Sequence, residues 1–320
     1  MENLNNKELV MFYNVENLFS PDPKPKHKLD PTVSGFRNWD ERKYQNKLHK
    51  IANVFRLIEE QEAVLPMIVG LAEVYGEENL KDLVKLEPLN ENFGIVHYDS
   101  LDERGVDTAL LYDKRKLQLV DSEAISFVFE NEPNSREDFD TTRDVLFCKL
   151  KYYEEILNIF VLHLPSKREN DVNKPKRDFI INSIKKRVLD LYKDSNEAVI
   201  LCGDFNENPI EENLNSLQYD EGINKILANP FVELYNSKIY STFHSREGLL
   251  FDQIFLSNHF FLPISIFEFK KAVVFNSEKL SNWDKKFTGR PFRTFAGSRY
   301  LGGYSDHYPV FVELLVKDNL

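Results

Sequence analysis

Tyr304-Ser305-Asp306-His307 sets a carboxylate beside an imidazole shortly before the last apolar run of the chain, and similar groups recur upstream. They are Tyr13-Asn14-Val15-Glu16-Asn17, Gly70-Leu71-Ala72-Glu73-Val74, His163-Leu164-Pro165-Ser166, Gly203-Asp204-Phe205-Asn206 and Phe251-Asp252-Gln253-Ile254. Each lies at the polar end of a short apolar run, where a strand would deliver its last side chains to a cleft. Hydrolysis of a phosphoester needs such a set: a Lewis acid on a non-bridging oxygen, a positioned water, and a group to manage charge on the leaving oxygen. Hard oxygen donors select Mg²⁺ or Mn²⁺ for the first role. A carboxylate directly after an apolar strand is costly to bury unless a cation compensates it, so Glu73 reads as a metal ligand; an exposed strand-end glutamate is the plain alternative. Asp204 and Asn206, two residues apart, would share one face of an extended segment. Asp204 would hold or deprotonate water and Asn206 would orient water or phosphate, although such residues also mark turns. Asp306 and His307 are adjacent, so one can face a metal while the other faces phosphate.

The elements that must position these groups are legible in the apolar patterning. Val10 to Tyr13, Met67 to Leu71, Asp107 to Asp113, Val145 to Leu150, Ile156 to His163, Ala198 to Cys202 and Val310 to Val316 read as strands. Several are apolar on both faces, as buried central strands are. Leu48, Ile51, Ala52, Phe55 and Ile58 recur at helical spacing and predict a helix over Trp39 to Glu62, with Lys and Glu on the other face and Asn38 and Glu41 as a capping box. Further helices are expected over about Glu77 to Leu86 and over Lys174 to Lys193, the latter with Phe179, Ile180, Ile184, Val188 and Leu191 turned inward. Four prolines between Ser20 and Asn38 predict a long loop. Neighbouring strands too close for a helical crossover imply much antiparallel pairing.

The chain has 320 residues, enough for two average domains, but motifs scattered from Asn14 to His307 must converge, which requires one. The N-terminus lacks the basic start and apolar core of a signal peptide, and no run approaches a membrane span, so no stable membrane anchor is expected. Cys148 and Cys202 each sit in an apolar run, which predicts buried thiols and a cytoplasmic, reducing setting. A formal charge of −11 argues against a polyanion grip over the whole surface. It leaves room for a local one: from Asn276 to Tyr304 six cations, including Lys285, Lys286, Arg290 and Arg293, face two acids and interleave with Phe287, Phe292, Phe295 and Tyr300. That mixture suits stacking on bases plus phosphate attraction, or equally a loop packed by its own aromatics.

Taken in this order, the motifs resemble the endonuclease/exonuclease/phosphatase superfamily over roughly Leu9 to Leu315. The resemblance implies a DNase I-like α/β fold: a four-layer α/β/β/α sandwich of two mixed, largely antiparallel sheets, one domain over residues 1–320 with its core at about 9–316. It implies a Mg²⁺- or Mn²⁺-dependent phosphoester hydrolase with Asn14, Glu73 and Asp306 at the metal. Asp204 and Asn206 would position water, His163 would donate to a phosphate oxygen or leaving group, and His307 would act at phosphate, oriented by Asp252. Arg143 matches an arginine that contacts phosphate, or makes an edge salt bridge; Arg104 and Asp107 flank Gly105 in a weaker hint of the same kind. Histidine at position 163 follows the deoxyribonuclease and sphingomyelinase branches and departs from the abasic-site branch. The expected substrate is a nucleic acid, with Arg290 and Arg293 among its contacts, cleaved by a monomeric enzyme. The alternatives are a phosphatase or sphingomyelinase-like esterase on small or lipid phosphates, and a catalytically inactive binding protein of the same fold.

Overall fold

A computed structural model describes residues 6–21, 39–100, 105–130, 139–167, 169–194, 197–222, 224–263, 265–297 and 299–317. Asn38, most of the proline-rich stretch before it, and Arg104 lie outside the described residues. With sheet strands numbered in chain order, the first six-stranded sheet contains β1 (Lys7–Leu18), β2 (Ile68–Val74), β3 (Phe93–His97), β4 (Asp107–Asp113), β11 (Phe267–Val274) and β12 (Val310–Val316). The second contains β5 (Leu117–Ile125), β6 (Val145–Tyr152), β7 (Glu155–His163), β8 (Ala198–Asp204), β9 (Leu227–Ala228) and β10 (Asp252–Ser257). Their orders are β11-β12-β1-β2-β4-β3 and β9-β10-β8-β7-β6-β5.

Each sheet has one parallel pair at its centre, β1 with β2 and β7 with β8, and antiparallel pairing elsewhere. Central parallel strands are covered on both faces, which is why Leu9 to Tyr13 and Ala198 to Cys202 are continuously apolar and fully buried. The parallel pairs deliver the ends of four strands, with Asn14, Glu73, His163 and Asp204, to one edge. The antiparallel neighbours start there, β10 at Asp252 and β12 just after His307. The topology therefore gathers residues separated by almost the whole chain.

Three helices, α1 (Glu41–Glu62), α2 (Glu77–Val84) and α3 (Lys174–Asp194), complete the layers. One core joins Leu48, Ile51, Phe55 and Ile58 of α1 to the first sheet and to the inward side chains Ile159, Val161, Ile200 and Cys202 of the second. The alternate residues Phe160, Leu162, Val199 and Leu201 face outward and pack on Ile180, Ile184 and Val188 of α3. This period-two split yields the expected α/β/β/α sandwich, each such buried side chain contributing about 1.5–3 kcal/mol. Gly70 is required at the sheet-to-sheet contact, since a Cβ there would lie 2.7 Å from Cys202 Sγ.

Two sequence expectations need correction. Helix α1 begins at Glu41 with Asp40 as its cap, whose carboxylate accepts from Lys43 N at 2.9 Å, so a carboxylate two residues later than Asn38 satisfies the first turn. Phe179 is 56% exposed, its ring resting edge-on against Phe127 and Phe129 at the rim of α3 instead of entering the core. Cys148 and Cys202 are free, buried thiols, as expected, and burial pushes both well above the usual thiol range. Among the described residues no helix is long and apolar enough to cross a membrane.

Candidate active site

Asp204, the last residue of β8, stands at the centre of the edge. Its Oδ2 lies 3.7 Å from His163 Nε2 and 3.9 Å from His307 Nε2, and accepts from Asn14 Nδ2 at 3.1 Å. The two imidazoles therefore converge on one carboxylate, within a phosphate's reach of each other. Burial raises the Asp204 carboxyl to about 7; the charge of His307 pulls it back and that of Asp252 pushes it further. His307 Nδ1 is 2.7 Å from Asp252 Oδ2, a hydrogen bond that orients the ring as expected. Burial opposes the imidazolium, yet Asp252 and then Asp204 hold the His307 pKa well above the ordinary histidine value. With Nδ1 engaged, Nε2 is the nitrogen presented to a substrate.

Asp252 is fully buried and is held in turn by Ser241 Oγ at 2.5 Å. Thr242 Oγ1 donates to Asp306 O at 2.8 Å, and Ser305 Oγ donates to Asn14 O at 2.7 Å while accepting from His307 N at 3.1 Å. These hydroxyls knit the 305–307 turn to β1 and to the 241–242 segment. No sequence signal marks Ser241 or Thr242, because their partners, Asp252 11 residues on and Asp306 64 residues on, are brought to them by the fold.

Beside the imidazoles lie further carboxylates. Glu73 Oε1 is 3.9 Å from His163 Nε2. Its φ of 65° coincides with a register shift between Ala72 and Val74, a bulge that re-aims the side chain at the cost of backbone strain. Glu16 is a residue the sequence reading passed over, although it lies two positions beyond Asn14. It is buried, and burial and then the like charge of Asp306 raise its carboxyl to about 7. It accepts from Thr294 N at 2.5 Å and Phe295 N at 3.3 Å. Lys47 of α1 was also overlooked, as one more polar residue on the helix's outer face. The structure buries it, donating to Thr294 Oγ1 and to Tyr304 O at 2.6 Å each. Burial lowers its ammonium to about 8, against the pull of Glu16, Asp306 and Glu73.

The remaining expected residues divide between the site and its rim. Asn206 is not extended: its φ is 49°, its N–H donates to Asp204 Oδ1 at 3.0 Å and its amide to Leu164 O at 2.8 Å. The turn reading of this segment therefore holds for the backbone, and the face-sharing argument from spacing does not. Gly203 accommodates the neighbouring strand, since a Cβ there would sit 2.5 Å from Leu162 O. Arg143 is buried just before β6. Arg293 is bound to Asp306 at 2.8 Å and lies 3.7 Å from Glu16. Arg290 stacks between Phe243 and Phe287 and donates to Ser245 O at 2.5 Å, away from the carboxylates.

Paired imidazoles facing clustered carboxylates, at the edge of a four-layer α/β/β/α sandwich, define a metal-dependent phosphoesterase. The sequence model of the Endonuclease/Exonuclease/phosphatase family matches residues 9–316, and the chain belongs to that family. Among curated proteins, none matches. Similar solved structures include a humanized D. rerio TDP2, 16% identical, with 96% of this chain and 98% of that one covered and a TM-score of 0.56. A Bacteroides thetaiotaomicron mannosyl-6-phosphatase is 18% identical, with 96% and 99% covered and a TM-score of 0.58. The human Nocturnin catalytic domain with bound sulfate is 16% identical, with 97% and 95% covered and a TM-score of 0.57. At these identities the likenesses establish the fold. Family membership makes the chain a metal-dependent phosphoester hydrolase. Its donor set fits a hard divalent cation: buried or half-buried oxygens of Asn14, Glu16, Glu73 and Asp306, where burial and then the charge of Asp306 raise the Glu16 carboxyl, with no thiolate among them.

Proposed function

We propose that the chain is a Mg²⁺-dependent phosphodiesterase that cleaves a nucleic acid strand, acting as an endonuclease and as a cytoplasmic monomer whose residues 1–320 form a single domain with its core at about 9–316. The observation that carries the chemistry is the convergence of His163 and His307 on Asp204, with Asp252 behind His307. Asn14, Glu73 and Asp306, joined by Glu16, would hold the divalent ion; Mn²⁺ suits the same oxygens. When bound, the ion supplies Lewis-acid charge to a non-bridging oxygen. Asp204 accepts the proton of the attacking water, with Asn206 and Asn14 fixing its carboxylate. Imidazolium His307 places positive charge on the transferring phosphoryl group, and His163 donates to a phosphate or leaving oxygen. Arg143, buried at the start of β6, is assigned to phosphate.

The substrate assignment rests on the segment from Asn276 to Tyr304. Its hairpin leaves the site at Phe292, which bonds Leu280 O and Tyr304 N, and carries Trp283, 84% exposed, together with Lys285 and Lys286. An exposed indole beside two ammonium groups suits base stacking and phosphate attraction. A solved relative, a D. rerio TDP2, is described in complex with a single-strand DNA product. Changing Trp283, Lys285 and Lys286 together to Ala should weaken binding of a single-stranded oligonucleotide and lower the log-log salt slope by about 1.4, near 0.7 per lost phosphate contact. Hydrolysis of bis(4-nitrophenyl) phosphate should be retained. Unchanged affinity and slope would reject the nucleic-acid assignment.

A second reading, a phosphatase or esterase on small or lipid phosphates, is favoured by the internal engagement of Arg290 and Arg293. Both are bound within the protein, leaving fewer cations for a long polyanion, and the chain carries a net −11. The mannosyl-6-phosphatase among the similar structures acts on a substrate of this class by its description. A wild type that hydrolyses a small phosphate ester but leaves the oligonucleotide uncleaved would select this reading.

A further inference from the structure

Two cations of very different setting share the carboxylate group. Lys47 comes from the second turn of α1, is 1% exposed, and its ammonium ties Thr294 to Tyr304. It is a fixed part of the scaffold. Arg293 comes from the loop, its side chain is 46% exposed, and its guanidinium reaches Asp306 at 2.8 Å and Glu16 at 3.7 Å. It can leave without breaking a core contact. Three carboxylates, Glu16, Glu73 and Asp306, act on the one fixed ammonium of Lys47, so the lysine alone does not balance them. Arg293 joins two of those carboxylates where a divalent ion would need their oxygens.

We propose that Arg293 is a displaceable internal cation: it bridges Glu16 and Asp306 in the metal-free protein and yields them to a divalent ion, which frees the guanidinium for the substrate phosphate. This rests on the metal-dependent hydrolase reading and adds a coupling, so that the phosphate-binding arginine becomes available when the site is loaded. Guanidinium suits both positions, because its planar fork bonds carboxylate and phosphate alike. Lys47 cannot make the exchange, since its ammonium is enclosed by Thr294 and Tyr304.

Calorimetric titration of chelator-stripped protein with Mg²⁺ and with Mn²⁺ tests this in the wild type, Arg293→Ala and Arg293→Lys. Loss of the competing cation should tighten divalent binding by roughly ten-fold in Arg293→Ala, with Arg293→Lys between it and the wild type. With metal saturating, KM for bis(4-nitrophenyl) phosphate should rise by roughly ten-fold in Arg293→Ala while kcat changes little. Unchanged or weaker divalent binding in Arg293→Ala overturns the proposal and makes Arg293 a positioning group for the metal site. A wild type that binds neither ion overturns instead the metal reading beneath it.

Discussion

Glu73→Gln is expected to slow phosphoester hydrolysis by on the order of 10³-fold or more and to weaken Mg²⁺ binding by at least about 10-fold, with the fold intact. The substitution keeps the side-chain volume and removes one negative charge from the group around Lys47. It leaves the bulge at Ala72 to Val74 unchanged, because the positive φ of residue 73 is imposed by the register shift between β2 and β4. Glutamine is no worse than glutamate in that conformation. Circular dichroism and thermal unfolding should match the wild type while a Mg²⁺ titration shows the weakened site. Wild-type Mg²⁺ affinity in this variant would remove Glu73 from the metal.

Asp204→Asn should separate activity from stability. The Asp204 carboxyl is raised to about 7 in the folded chain, against an ordinary aspartate value near 3.9 in the unfolded one. A raised carboxyl means that the folded state binds more protons between these values, so as pH climbs from about 4 to about 7 this group erodes stability, and the full penalty applies above that range. Asparagine has no such penalty and can still accept from Asn14. Measured with chelator, the variant should melt a few degrees above the wild type at pH 8, with the difference fading toward pH 4. Its kcat on a phosphodiester should fall by roughly 10²–10⁴-fold through loss of the water's proton acceptor. A variant that melts below the wild type at pH 8 would show that the ionised carboxylate is stabilising.

The fold was legible because central strands leave an unmistakable trace. Ala198 to Cys202 is apolar at every position since β8 is covered on both faces, and Asp107–Asp113 and Val310–Val316 run over the residues expected for them. The pairing of Asp252 with His307 was legible only through resemblance, because nothing in two segments 55 residues apart states that they meet. What the sequence concealed was charge carried into the interior. Lys47 lies four residues before Ile51, at the edge of the apolar face, but its charge reads as solvated; it is buried because Thr294 and Tyr304, some 250 residues on, close over it. Glu16 had a usable signal only in its nearness to Asn14 in the same motif, since its φ of 50° and the register shift between Asn14 and Leu18 break the strand's period of two there. Asn206 failed in the opposite sense: spacing of two carries meaning only while a strand continues, and β8 stops at Asp204. Arg290 and Arg293 were legible as local positive charge and Phe287 as a nearby ring, whereas the other partners, the Phe243 ring, Glu16 and Asp306, are set by tertiary structure.

The most direct test is hydrolysis by chelator-stripped wild-type protein of bis(4-nitrophenyl) phosphate and a single-stranded oligonucleotide, with and without added Mg²⁺. The site described here predicts negligible turnover without metal and restoration by Mg²⁺ on both substrates, with the oligonucleotide reaction suppressed by rising salt as phosphate contacts are screened. Turnover that is equal with and without a divalent ion, or no cleavage of either phosphodiester under metal saturation, would contradict it.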